Sequence, residues 1–155
     1  MEDILLKINK ISFELFSYAT EDIEEVEKCL LHAIPSNLSE HLKEKIKIKT
    51  LEGHFKEPIT LMKLKVKSKK AEDCFNYINE KLNRKLDLDQ FINRFDESKG
   101  SLYLRLDKQS IYDSESKLNI LDKGDVIKIR IHFQGYPLKM DNLLNYLKEN
   151  DYIID

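Results

Sequence analysis

The chain of 155 residues fits one ordinary domain, and 41% hydrophobic with 35% charged residues is typical of a globular protein rather than a disordered one. The formal net charge of −2 argues against a protein that is basic as a whole, but it leaves open a segregation of charge between surfaces. No apolar run approaches the ~20 residues of a membrane span, and the acidic start MEDILLKINK lacks the features of a secretory signal. We therefore expect a cytoplasmic protein, not bound to a membrane, with one domain over residues 1–155.

The N-terminal part of the chain predicts a strand followed by a helix. Ile8–Ala19 alternates apolar and polar residues, which is typical of a half-buried strand. Thr20 is predicted to cap a helix that ends at Pro35. Four apolar residues at helical spacing mark the buried stripe of this helix: Ile23, Val26, Leu30 and Ala33.

Two lysine-rich strands are predicted after a polar connection. Glu44–Leu51 and Ile59–Lys67 both alternate apolar residues with lysines, so each has one apolar and one basic side. The apolar phase slips between Leu61 and Met62, which predicts a β-bulge near the start of the second strand.

The C-terminal part predicts three helices and two strands. The predicted helices are Ala71–Leu82, a short helix capped by Asp87 and carrying Leu88, Phe91 and Ile92, and Lys139–Asn150. The predicted strands are Ser101–Asp107, expected to be the central strand, and Asp125–Phe133. Between these strands, Lys108–Lys123 is predicted to be a polar excursion anchored by Tyr112 and Leu118.

The resulting order, β-α-β-β-α-α-β-β-α, indicates an α+β domain with a mostly antiparallel sheet and helices packed on one face. The strand at Ser101–Asp107 shows why: its leucines and its polar residues fall on opposite sides. The sheet is therefore predicted to have one apolar side and one basic side.

The basic side is the main functional candidate. Its cations would come from four strands: Lys45, Lys47, Lys49, Lys63, Lys65, Lys67, Arg105, Lys128 and Arg130. Clustered cations neutralise phosphates and release counterions, and aromatic residues such as Tyr103, Tyr18 and Phe16 could stack on unpaired bases. The alternative is that these lysines only keep exposed strands soluble and unaggregated. The pattern alone does not decide between the two.

No pattern in the sequence predicts catalysis, a metal site or a cofactor. Cys29 and Cys74 lie on apolar helical stripes without CxxC spacing, so we expect two core residues. The four histidines lack the spacing of metal ligands, and His54 is better explained by a structural hydrogen bond in a loop than by a role as a base. There is no P-loop, GxGxxG or GxSxG motif, and the expected protein is not an enzyme.

Three sequence blocks together resemble a known family. They are SYATED over Ser17–Asp22, EGHFKEPI over Glu52–Ile59, and RFDESKGSLYLRLDKQSIY over Arg94–Tyr112, followed by GDVIKIRIHF. Their order and spacing resemble archaeal RNA-binding proteins described as predicted exosome subunits, whose fold is similar to that of a large-subunit ribosomal protein that binds ribosomal RNA. The positions that match the family are Thr20, Glu21, Asp22, Glu52, Gly53, His54, Pro58, Arg94, Asp96, Arg105, Asp107, Lys108 and Gln109.

The resemblance and the basic face together predict a non-catalytic RNA-binding protein that serves as an accessory factor in RNA processing. Arg105, Lys108 and Arg130 are the expected central contacts. The full set of expected RNA-binding residues is Arg105, Lys108, Gln109, Arg130, Lys128, Lys63, Lys65, Lys47, Tyr103 and His54. The alternative is a protein-interaction module, or an accessory subunit whose acidic helices dock on an RNA-processing machine, without direct RNA contact. An enzyme acting on RNA or a nucleotide ranks last.

Overall fold

The computed structural model describes residues 6–53, 57–112, 117–135 and 138–154. Its strands are β1 (Lys7–Ser17), β2 (Lys47–Glu52), β3 (Pro58–Lys67), β4 (Leu86–Asp87), β5 (Phe95–Asp96), β6 (Ser101–Asp107), β7 (Val126–Gln134) and β8 (Ile153–Ile154). Its helices are α1 (Ile23–His32), α2 (Ser36–Lys43), α3 (Ser68–Lys81), α4 (Leu88–Arg94), α5 (Lys108–Ile111) and α6 (Met140–Glu149).

Six of the strands form one sheet in the order β2-β3-β1-β7-β6-β5, and every neighbouring pair is antiparallel. The short strands β4 and β8 form a separate parallel pair. The predicted α+β fold with a mostly antiparallel sheet is confirmed. The prediction that Ser101–Asp107 is the central strand is wrong, because β1 and β7 occupy the middle and β6 lies next to the edge strand.

The core lies between the sheet and the helices, as the alternation in β1, β3, β6 and β7 requires. The edge strand β2 does not follow this pattern, since Ile48, predicted to lie on its apolar side, is exposed. On β6 the leucines 102, 104 and 106 are buried, whereas Tyr103 and Arg105 point to the other side and are exposed. Helix α3 closes the core with Phe75, whose ring packs edge-on against Phe133 of β7. Burying one such side chain contributes about 1.5–3 kcal/mol to the stability of the fold. A slip of one residue in strand register would move all the apolar residues of that strand to the solvent side of the sheet.

Helices α3 and α4 form where they were predicted. The apolar stripe of α3 is buried through Ala71, Cys74, Phe75 and Ile78. In the predicted stripe of α4 only Phe91 is buried, and Ile92 is exposed. At the start of α4, Asp87 accepts a hydrogen bond from the Gln90 backbone amide at 2.9 Å, and the Gln90 side chain accepts one from the Asp87 backbone amide at 3.1 Å. This capping box satisfies two amide groups that the first turn of a helix leaves unpaired, so the predicted cap is confirmed.

Helix α1 begins two residues later than Thr20 would require. The cap is Asp22, whose extended backbone and side chain allow its Oδ1 to accept a hydrogen bond from the Glu24 amide at 2.9 Å. Thr20 lies instead in the turn that a bond from the Glu21 amide to the Tyr18 carbonyl closes. The prediction of Thr20 as the cap is wrong because this turn comes before the first helical residue.

The predicted polar connection after Pro35 is also wrong, because this segment forms helix α2. Pro35 stands at the N-cap position, where a proline is tolerated since no amide is needed from it. Leu42 is buried and Leu38 packs against the core. Two apolar residues in eight are too few for periodicity to reveal a helix.

The predicted bulge in β3 is absent. The pairing of β3 with β1 runs without a shift from Ser17 opposite Thr60 to Lys10 opposite Lys67. Leu61 simply faces the basic side of the sheet, opposite Phe16, and the apparent slip is an apolar residue on the polar side. The register shift lies in β1, between Ile8 and Lys10, where β1 pairs with β7.

The predicted excursion over Lys108–Lys123 opens with the short helix α5, which Asp107 caps. Leu118 is buried and the Tyr112 side chain is partly buried, so both predicted anchors are confirmed.

Cys29 and Cys74 are free thiols buried in the core, as predicted. Burial raises the pKa of each thiol to about 12, so both stay protonated and unreactive at neutral pH. None of the helices in the described residues has the length and hydropathy that a bilayer crossing requires.

Candidate nucleic-acid interface

The antiparallel register brings the cations of separate strands together on one side of the sheet, which we call the outer sheet face. Residues directly opposite each other point to the same side. A first row crosses five strands: Lys47, Lys63, Glu14, Lys128 and Arg105. Parallel to it run the row Lys65, Ser12, Arg130 and Tyr103 and the row Lys67, Lys10, His132 and Ser101. These three rows define the outer sheet face.

Several cations of this face have a like-charged neighbour directly opposite. Lys47 pairs with Lys63 at the β2–β3 border, and Arg105 pairs with Lys128 at the β6–β7 border. Like charges in such positions destabilise an antiparallel pair. An anion bound across them would relieve that repulsion.

The lysines of this face are mostly unpaired. Lys63 forms a loose ion pair with Glu14, with 3.8 Å between Nζ and Oε2. Among the described residues, Lys47, Lys65 and Lys128 are exposed and form no ion pair or side-chain hydrogen bond. Their charges are therefore available to a ligand.

Arg130 is held in place beside an exposed aromatic ring. Its Nε donates a hydrogen bond to Oγ of Ser101 at 2.9 Å, and its guanidinium carbon lies 5.7 Å from the centre of the Tyr103 ring. The Tyr103 side chain, 40% exposed, is one of the larger apolar surfaces on this face. The pair offers a ring for stacking and a fixed cation beside it.

Asp122 links Arg105 to a second arginine, Arg94, by accepting hydrogen bonds from both. Arg94 forms a two-pronged ion pair with the Asp122 carboxylate at 2.5 and 2.9 Å, and Arg105 donates to the Asp122 carbonyl at 3.1 Å. The hydrogen bond from Arg94 holds the pKa of Asp122 below its ordinary value. Asp122 thus fixes both arginines at one border of the outer sheet face.

Two concavities of about 370 Å³ flank Tyr103. The first lies over β1, β7 and β6 and is lined by Ser12, Glu14, Tyr103, Leu104, Arg105, Lys128, Ile129 and Arg130. The second lies toward β5 and Asp122. Both fall within the usual size range of ligand pockets.

A third, purely basic cleft lies where β3 meets α2 and α3. Its volume is about 320 Å³, and its charged lining consists of His41, Lys45, Lys65, Lys67 and Lys70. Lys65 and Lys67 connect this cleft to the outer sheet face. The cleft extends the region in which a polyanion would meet positive charge.

Lys108, which was expected to be a central RNA contact, does not lie on this surface. Its side chain is fully buried, and its Nζ donates to the Phe16 carbonyl at 2.8 Å. It also lies 2.8 and 2.9 Å from the two carboxylate oxygens of Glu21 and 3.0 Å from Oδ2 of Asp125. With its protons used by protein acceptors, Lys108 has none to offer a phosphate.

The partly buried acids around Lys108 form a cluster with it. Burial by itself would raise the pKa of Glu21, but hydrogen bonds from Lys108, the Tyr18 amide and Tyr112 outweigh it and hold that pKa below its ordinary value. Burial and the bond to Glu21 raise the pKa of the Tyr112 hydroxyl. Lys108, Glu21, Asp125 and Tyr112, here the Lys108 cluster, therefore tie α5 to the end of β1 and to the start of β7.

Gln109 and His54 are the remaining expected residues. Gln109 is exposed on α5, beyond the end of β6, and His54 lies outside the described residues. No group of three or more histidines, cysteines or acids within the described ranges is arranged to hold a metal ion.

Three residues of the face were not found from the sequence. Glu14 and Lys10 alternate on β1 with the correct phase, but only the position of β1 between β3 and β7 shows that they lie among the cations. Asp122 joins Arg94 and Arg105 from a loop, and no local pattern predicts that contact.

The chain is similar to known proteins over most of its length. Residues 10–133 match the sequence model of a family described as RNA binding. The chain belongs to this RNA-binding family. It is 30% identical over 148 residues to RNA-binding protein PAB1135 of Pyrococcus abyssi, with 93% of this chain and 94% of that protein covered. It is also 30% identical over 140 residues to the uncharacterized protein MJ0213 of Methanocaldococcus jannaschii, with 85% and 89% covered.

The fold is shared with solved structures. Mth689, a DUF54 protein from Methanothermobacter thermautotrophicus, superposes with a TM-score of 0.71 at 27% identity, over 96% of this chain and 98% of that one. The family match runs from β1 to β7 and so includes both the outer sheet face and the Lys108 cluster.

Proposed function

We propose that the protein binds RNA through the outer sheet face and does not act on it chemically. The observation that carries the proposal is the register, which aligns cations of β2, β3, β7 and β6 in continuous rows with few acids among them. Membership of an RNA-binding family supports RNA as the polyanion.

Two kinds of contact follow from the residues on this face. The unpaired lysines, with Lys47, Lys65 and Lys128 as examples, would hold the phosphate backbone. Tyr103, beside the fixed Arg130, would stack on an unpaired base. Phosphate contacts position RNA without reading its sequence, so binding to many RNAs and a strong dependence on salt are expected.

The test is fluorescence anisotropy of a labelled single-stranded RNA and a structured RNA, each titrated with protein at several salt concentrations. We expect binding that weakens steeply as salt rises, because counterions are released when phosphates are neutralised. Absence of binding at low salt would contradict the proposal. The length of the RNA after incubation should be unchanged.

The variant that tests the surface is the triple change Arg105→Gln, Lys128→Gln and Arg130→Gln. It should lower affinity at least about tenfold and flatten the salt dependence by up to about 0.7 per lost phosphate contact. The matched control removes three charges from the helices on the other side of the sheet: Lys28, Lys69 and Lys148, each to Gln. If both triple variants lost affinity equally, the assigned surface would be wrong.

We further propose that the protein serves as a cytoplasmic accessory factor of an RNA-processing complex such as the exosome. The support for this part is the sequence resemblance over Ser17–Asp22, Glu52–Ile59 and Arg94–Tyr112. A tagged chain purified from native extract after nuclease treatment should retain subunits of such a complex. Loss of every partner on nuclease treatment would instead indicate that RNA is the link.

A further inference from the structure

Glu14 is an acid in the middle of a surface that otherwise attracts phosphates. It lies in the first row between Lys63 and Lys128, and its side chain is 38% exposed. A carboxylate here weakens the binding of any phosphate nearby. Its position therefore calls for a use other than holding the RNA backbone.

The Glu14 carboxylate has a loose ion pair with Lys63 but no hydrogen-bond partner among the described residues. Its closest charged partner, Lys63, remains 3.8 Å away, beyond hydrogen-bond distance, and it makes no hydrogen bond within the described residues. Its two oxygens can therefore accept two hydrogen bonds from a ligand.

The surroundings of Glu14 are suited to one flat base. Glu14 and Tyr103 line the same concavity of about 370 Å³. Since neighbouring strands lie about 4.8 Å apart, β6 is roughly 10 Å from β1, which leaves space for a base between the ring and the carboxylate. Arg130, fixed by Ser101 beside the ring, and Lys128 can hold the phosphates that flank such a base.

The chemistry of a carboxylate selects among the four bases. Its two acceptors lie side by side, and guanine has two adjacent N–H donors, N1–H and the 2-amino group, on its Watson–Crick edge. Adenine and cytosine place a ring nitrogen acceptor beside the amino group, and uracil places carbonyl oxygens on both sides of its single N–H. An acceptor facing a carboxylate is repelled and left unpaired.

We infer that this concavity holds one unpaired guanine, stacked on Tyr103 and read through its Watson–Crick edge by Glu14. The inference rests on the proposed RNA binding and adds a base preference to it. It distinguishes Glu14, which would read a base, from the surrounding cations, which would hold phosphates.

The experiment compares short oligouridines that carry a single central guanosine, adenosine, cytidine or uridine, measured by anisotropy at one salt concentration. The guanosine RNA should bind roughly tenfold more tightly than the other three, as expected for one good bidentate contact. Equal affinity for all four RNAs would overturn the inference and leave RNA binding intact. No binding of any RNA at low salt would overturn both.

The variant Glu14→Gln makes the test specific to this side chain. Its amide offers one acceptor beside one donor, and every base carries such a donor–acceptor pair on its Watson–Crick edge, so the preference for guanosine should disappear. Affinity for the adenosine, cytidine and uridine RNAs should rise as well, because an acid is removed from a basic surface. A uniform rise with an unchanged guanosine preference would show that Glu14 only moderates charge and would overturn the inference.

Glu72→Gln is the matched control. Glu72 is equally exposed, at 37%, but lies on α3, on the opposite side of the sheet, where it pairs with Lys69. This change should leave the ratio of affinities for the four RNAs as in the unmodified protein.

Discussion

Lys108 directly follows β6, and Lys128 lies in the neighbouring strand β7. The environments of the two lysines are nevertheless opposite. Lys108 has no exposed side-chain surface and donates to one carbonyl and two carboxylates. Lys128 is exposed, lies opposite Arg105 and has no ion pair among the described residues. One cation is used to join parts of the fold, and the other keeps its charge for solvent or a ligand.

The contrast changes how the family motif is interpreted. Glu21 and Lys108 come from its two most recognisable blocks, and in the structure they meet in the Lys108 cluster. Asp22 caps α1 and Asp107 caps α5, so both of these acids also serve local structure. A specific motif therefore need not mark the outer sheet face, since of the motif run Arg105–Gln109 the face contains Arg105 but not Lys108.

The largest expected effect comes from Lys108→Met. This change keeps most of the side-chain length but leaves Glu21, Asp125 and the Phe16 carbonyl without their shared donor. The cost is about 3 kcal/mol, the low end for a broken buried pair, because both carboxylates keep some contact with solvent. For a chain of this size, that lowers the melting temperature by roughly 6 to 12 °C. Thermal unfolding followed by circular dichroism measures it.

Lys128→Met is the matched control for that prediction, because it introduces the same residue at an exposed position. It should leave the melting temperature almost unchanged and lower RNA affinity, whereas folded Lys108→Met protein should keep its RNA affinity. A Lys108→Met protein that is as stable as the unmodified protein but binds RNA poorly would contradict the structural role given to Lys108.

The second effect in size concerns the exposed ring. Tyr103→Ala should weaken binding of single-stranded RNA by about 1–3 kcal/mol, which is the usual contribution of one stacked base. Tyr103→Phe keeps the ring and should stay within about twofold of the unmodified protein. Anisotropy titrations of single-stranded RNA with all three proteins measure these affinities. An equal loss of affinity in both variants would show that the Tyr103 hydroxyl, rather than stacking on its ring, contributes to binding.

The fold could be predicted from the sequence wherever buried and exposed residues alternate strictly along a strand. On β6 and β7 every second residue is apolar, and the structure buries those residues. The predictions failed where tertiary contacts outweigh local pattern: α2 forms from a polar segment because Leu42 is buried, and Leu61 is apolar on the basic side of the sheet.

The candidate site could be predicted only in part, because strand order decides which residues meet. Alternation correctly placed Lys63, Lys65 and Arg130 on one side of the sheet. It could not show that Glu14 lies among them, since β1 comes first in the chain but third in the sheet. Nor could it separate Lys108 from the exposed lysines, because its burial depends on Glu21 and Asp125, which are distant in sequence.

A smaller effect is expected for single lysines of the basic cleft. Lys65→Gln should weaken RNA binding by less than about 1 kcal/mol at low salt and lower the salt slope by about 0.7, the value for one phosphate contact on a single strand. Lys69→Gln, on α3 and already paired with Glu72 and Asp73, should change neither quantity. A slope unchanged by Lys65→Gln would exclude this cleft from the RNA path.

The smallest effect is a dependence of stability on pH that distinguishes the Lys108 cluster from the surface. The pKa of Glu21 in the folded protein lies below its ordinary value, so its carboxylate stabilises the fold above about pH 4.5, and this contribution is lost as the pH falls through the lowered pKa. Glu21→Gln should therefore be less stable than the unmodified protein at pH 7, and the difference should shrink toward acid.

Glu25→Gln, on the exposed side of α1, is the control and should alter stability little at any pH. Melting temperatures of the three proteins, measured from neutral to acidic pH, show whether the difference in stability shrinks as predicted. A gap between Glu21→Gln and the unmodified protein that stays constant with pH would mean that the Glu21 charge does not contribute to holding Lys108, and that packing alone buries this lysine.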